Sequence, residues 1–121
     1  MEQLIAHLVG DYVLQSHKMA LLKTQDVWWA FLHATFYSLP FLSLTNSWLA
    51  VAFILVTHAF IDHYKVAAKW CEFYGVGHPG LWWVEDDEPF VEPPPFLGVW
   101  LTILVDNTMH LFLNYIALKY L

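Results

Sequence analysis

Three histidine–aspartate pairs carry the chemistry of this chain: His7/Asp11, His58/Asp62 and Asp106/His110, each four residues apart. On an α-helix that spacing puts both side chains on one face, about 6 Å apart along the axis. Each pair interrupts an apolar run. The run before Asp62 reads SWLAVAFILVTHAFI from Ser47 to Ile61 and is apolar enough to sit in lipid. Ionisable groups at such positions are costly and mark functional sites.

Order along the chain adds to the signal. The first and third helices expected below run the same way and read His then Asp, whereas the fourth runs the opposite way and reads Asp then His. Antiparallel packing would therefore stack a layer of His7, His58 and His110 over a layer of Asp11, Asp62 and Asp106, and His33 on the second helix could join either layer. Imidazole and carboxylate ligands suit zinc, manganese or iron, and helical bundles build such centres from facing helices. These six residues are the expected metal ligands. Zn2+ is the leading ion, with Mn2+ or Fe2+ as alternatives, and a second ion would call for bridging Asp residues. A catalytic centre keeps one position open for water. The expected catalytic residues are His33, as a further ligand or a general base, and Lys65 and Gln15, which would stabilise developing negative charge.

The elements that must position these residues are read from apolar runs and their breaks. Helices are expected over about 2–22, 27–44, 47–70 and 97–120, joined by short turns and by one long extramembrane loop over 71–95. Thr24-Gln25-Asp26 offers N-cap oxygens, Leu44-Thr45-Asn46-Ser47 reads as a tight uncharged turn, and Pro40 should kink the second helix near its far end. Gly10 beside Asp11 permits close approach of another helix. Trp28, Trp29, Trp48 and Trp70 suit a membrane interface. The loop holds Trp82, Trp83, three consecutive prolines and an acidic cluster from Glu85 to Glu92. The expected fold is a single all-α membrane domain, a bundle of four transmembrane helices.

Composition agrees with that reading. Of 121 residues, 59% are hydrophobic, 18% aromatic and only 13% charged, against about 25% charged in a soluble domain. Net charge is −6 with no arginine, which excludes nucleic acid as a partner because phosphate binding needs clustered cations. One cysteine, Cys71, permits no internal disulfide. The N-terminus lacks a basic start and His7 and Asp11 break its apolar stretch, so a signal peptide is not expected. Lys18, Lys23 and Lys69 fall on one side of a four-span topology, which makes that side cytoplasmic by the positive-inside rule.

With those residues in hand, the sequence resembles a family of small bacterial and phage inner-membrane proteins of unknown function. The resemblance rests on His7-Leu8-Val9-Gly10-Asp11-Tyr12-Val13-Leu14-Gln15, on His33, on His58-Ala59-Phe60-Ile61-Asp62-His63-Tyr64-Lys65 and on Asp106-Asn107-Thr108-Met109-His110. It spans nearly the whole chain outside the 71–95 loop, and Asn107 stands where that family tends to have Gln. It implies residence in the bacterial inner membrane among lipids but carries no activity. A looser similarity is to membrane-bound metal-dependent hydrolases, which also place His and Asp on short apolar helices.

Three functions remain open at this level. The first is a metal-dependent hydrolase acting on a lipid or lipid-linked substrate. The second is a di-iron oxidoreductase, disfavoured because HxxxH and HxxHH spacings are missing. The third is non-enzymatic: a proton or ion pathway, or an effector that binds a host membrane partner, with the His/Asp residues forming a polar network. An assembly of several copies would suit so aromatic a surface.

Overall fold

The computed structural model describes residues 1–75 and 94–121, and every regular element among them is helical. Helix α1 (Glu2–Leu8) runs into a π-helical turn (Val9–Val13), followed by α2 (His17–Leu22), α3 (Val27–Ser38) and a 3₁₀ turn (Leu39–Ser43). Then come α4 (Trp48–Tyr64), α5 (Val66–Tyr74) and α6 (Pro95–Tyr120). The acidic cluster, Trp82, Trp83 and most of the loop expected over 71–95 lie outside the described residues, and α5 carries the preceding helix on to Tyr74.

Local chemistry explains where the helices start and stop. Ser16 Oγ accepts a hydrogen bond from the Met19 amide, Asp26 Oδ1 from Trp28 and Ser47 Oγ from Ala50, so each caps the helix that follows it. The Ser16 cap splits the first expected helix, because the polar Gln15-Ser16-His17-Lys18 segment offers side-chain partners to the backbone in place of apolar contacts. Pro40 has no amide to donate, and the chain tightens there into the 3₁₀ turn. Lys65 adopts a left-handed conformation (φ 52°), which separates α4 from α5 at a bend of 56°. Gly75 (φ 69°) ends α5 in the same region of backbone space.

These breaks revise the expected span count. Among the described residues α6 alone is long and apolar enough to cross a membrane, and the bent pair α4–α5 makes a second if counted as one span. Element lengths therefore do not support four spans.

α3 packs on α4, both α4 and α5 pack on α6, and α1 closes the bundle against α6. Ala30, Ala34, Ala50, Ala67 and Ala117 are buried at these contacts, where small side chains let helix backbones come close. One end of the interior is apolar, built on Tyr37, Phe41, Ala50, Ile54 and Ala117. Beyond it the interior also holds polar side chains: His7, Asp11, His33, His58, Asp62, His110 and Asn114 are all buried. Large apolar side chains such as Trp48, Val56, Phe60, Trp100 and Phe112 point outward instead.

Gly10 sits close against α3, as its place beside Asp11 suggested. A Cβ there would stand 2.7 Å from the Tyr37 carbonyl oxygen and 3.0 Å from its Cα, both backbone atoms that cannot swing away. Gly10→Ala must push the π-helical turn off α3, at a cost of roughly 1–3 kcal/mol. Thermal unfolding in detergent followed by circular dichroism should show a lowered midpoint, and an unchanged midpoint would mean that this contact is looser than described.

Candidate metal centre

Four elements converge on one polar cluster. Asp11 comes from the π-helical turn, His33 from α3, His58 and Asp62 from α4, and Asp106 and His110 from α6. π-helical turns are rare and concentrate at functional sites. Here the wider turn, closed by the Leu14 amide on the Val9 carbonyl at 2.9 Å, alters the helical register between His7 and Asp11. The two side chains consequently meet different partners.

Asp11, His33, His58 and Asp62 each offer one donor atom, and these four atoms all lie within 4.8 Å of one another. His33 Nε2 stands 2.9 Å from His58 Nε2, 3.2 Å from Asp11 Oδ1 and 3.3 Å from Asp62 Oδ2. His58 Nε2 is 3.2 Å from Asp62 Oδ2 and 3.9 Å from Asp11 Oδ1. Ligands bound at about 2.0–2.1 Å around a tetrahedral ion stand about 3.3 Å apart. The four atoms are thus spaced like the corners of a coordination polyhedron, and their side chains are at most 7% exposed.

A second convergent group, Asp62, Asp106 and His110, shares Asp62 with the first. Proton placement distinguishes the two. If His58 binds an ion through Nε2, its proton sits on Nδ1 and is donated to His110 Nδ1, 3.1 Å away. The His110 proton then lies on Nε2, which faces Asp62 Oδ1 at 3.5 Å and Asp106 Oδ2 at 3.6 Å. In that state His110 orients His58 and Asp62 in the manner of the outer partners that tune metal ligands. His110 Nε2 is among the buried polar atoms that make no hydrogen bond. Groups of that kind in a native interior require an explanation such as a missing ion.

His7 lies outside both groups. Its Nε2 donates to Asn107 Oδ1 at 2.6 Å, so a neutral ring accepts at Nδ1 from the Tyr37 hydroxyl at 2.8 Å. Asn114 Nδ2 donates to that hydroxyl at 2.6 Å. Both His7 nitrogens are occupied, and neither is left for an ion. Tyr37 is fully buried and its ring stacks on His58 at 3.5 Å between centroids, which holds the plane of that imidazole. The sequence reading passed over Tyr37 because a lone Tyr in an aromatic-rich helix carries no distinguishing signal.

Lys23 was also missed, read only as a topology marker. Its Nζ is 2.8 Å from Asp62 Oδ2, 3.4 Å from His33 Nε2 and 3.7 Å from Asp11 Oδ1. Burial works against its charge, yet the Asp62 and Asp11 carboxylates outweigh that and raise its pKa above the ordinary lysine value. Beside the cluster lies an open cavity of about 300 Å³, its wall including Asp11, Gln15, Lys23, Asp62, Lys65 and Asp106. Gln15 and Lys65, expected to be catalytic, are therefore on the cavity wall, and His33 is among the four converging donors.

The chain matches, over residues 1–118, the family described as "Protein of unknown function (DUF3307)", and it belongs to that family. No curated protein and no solved structure gives a significant match.

Tyr37→Phe separates the supporting network from the ligand group. Losing the hydroxyl strands His7 Nδ1 and Asn114 Nδ2 in the interior, a cost of about 1–3 kcal/mol. A lowered unfolding midpoint with the same metal content as wild type is the expected result, measured by calorimetry and elemental analysis on the same preparation.

Proposed function

We propose that this DUF3307 protein is a small integral membrane protein of the bacterial inner membrane whose buried metal centre hydrolyses a lipid or lipid-linked substrate. The observation that carries the proposal is the spacing of the Asp11, His33, His58 and Asp62 donor atoms, which matches a coordination shell. Two imidazoles and two carboxylates suit Zn2+, with Mn2+ and Fe2+ as alternatives. Membrane residence is supported by the outward apolar and inward polar side chains and by α6, whose most apolar window is only 11% buried, unlike the core helix of a water-soluble protein.

A bound divalent ion would supply Lewis acidity and a water of lowered pKa. The chain's own residues do the rest. Tyr37 and His110 hold the His58 ring in one orientation. Asp106, half-exposed on the cavity wall, receives the proton of entering water, while Lys65 and Gln15 face the anionic part of the substrate.

A second reading is favoured by one observation, the Lys23–Asp62 ion pair at 2.8 Å. If that pair alone neutralises the buried carboxylates, the cluster is a structural or proton-conducting network. Elemental analysis of detergent-purified wild type beside His33→Ala and His58→Ala, followed by assay of the chelator-stripped and zinc-restored protein on lipid esters and phosphoesters in nanodiscs, separates the two. The hydrolase reading requires one zinc per chain, lost in both variants, and turnover that returns with zinc. Folded wild type without metal would establish the network reading instead.

A further inference from the structure

Lys23 stands where a metal ion's charge would act. Its ammonium lies within 3.7 Å of three of the four donor atoms, and its side chain is 15% exposed. An ammonium and a divalent ion cannot both sit against the same carboxylate oxygen, because like charges about 4 Å apart repel by several kcal/mol where water is scarce. Nor can the carboxylates remain there uncompensated. One cation must replace the other.

We propose that Lys23 is an exchangeable internal cation: it neutralises the ligand group while metal is absent and is displaced into the adjoining cavity when an ion binds. The inference rests on the metal-centre reading of the site. Two features make the exchange mechanically simple. His63 Nδ1 donates to the Lys23 carbonyl oxygen at 3.2 Å, so the end of α4 pins the backbone of the turn and only the side chain has to move. The four-carbon stem is flexible, and Lys23 already lines the cavity of about 300 Å³ that would receive it. Metal entry would then do two things at once. It fills the ligand group, and it delivers a second ammonium beside Lys65 to the wall that faces an anionic substrate.

Exchange predicts that the lysine lowers metal affinity while it stabilises the metal-free fold. Full-length protein in detergent, stripped by chelator, is titrated with Zn2+ against a chromophoric competitor. Lys23→Met and Lys23→Gln should bind Zn2+ at least about tenfold more tightly than wild type. Lys23→Arg, which keeps the charge, should stay near wild type. Without zinc, Lys23→Met should melt below wild type, and zinc should raise its midpoint by more than it raises the wild-type midpoint. Equal zinc affinity in wild type, Lys23→Met and Lys23→Gln would overturn the exchange and leave the metal centre standing. Failure of all variants to bind zinc, with folded protein, would overturn the metal centre itself and the exchange with it.

Discussion

The interior of this bundle is organised by the need to compensate buried carboxylates. Asp11 and Asp62 sit at the junction of the π-helical turn, α3 and α4, nearly out of contact with solvent, with imidazoles and one ammonium as neighbours. Desolvating two carboxylates costs several kcal/mol each unless positive charge and hydrogen bonds replace water. Everything around them serves that requirement. Lys23 supplies a charge, His33 and His58 supply nitrogens at hydrogen-bond distances, and the geometry that results is one a divalent ion also satisfies.

Holding those groups in register takes a second layer. Tyr37 does most of it: its ring stacks on His58, its hydroxyl links His7 and Asn114, and its backbone lies against Gly10. Because Gly10 precedes Asp11, the contact that brings the first segment against α3 also delivers a carboxylate to His33. His110 performs a similar service from α6, linked to His58 on one side and turned toward Asp62 and Asp106 on the other. Polar networks of this kind, once satisfied, rigidify an interior.

Much of the helix content and all four converging donors were legible in the sequence, His33 as a further ligand or general base, since long apolar runs define helices and ionisable residues inside them stand out. Asp11, His58 and Asp62 belong to the pairs that the four-residue spacing picked out. The same rule assumes α-helical turns, whereas the turn from Val9 to Val13 is wider and His7 meets Tyr37 and Asn107. Span lengths were over-read for related reasons: backbone breaks at Ser16, Pro40 and Lys65 depend on caps and dihedral angles that mean hydropathy does not register. Lys23 was invisible because its role comes from tertiary contact between residues 39 positions apart, with no local pattern around it.

Asp11, His33, His58 and Asp62 stand or fall together as one coordination shell. X-ray absorption at the zinc edge on the zinc-loaded, detergent-solubilised protein tests it most directly. The expected shell is two imidazole nitrogens, two carboxylate oxygens and one water oxygen at about 2.0–2.2 Å, and no such shell in His33→Ala, which should not retain zinc. A shell of water oxygens alone, a sulfur from Cys71, or a spectrum indifferent to His33→Ala would contradict it.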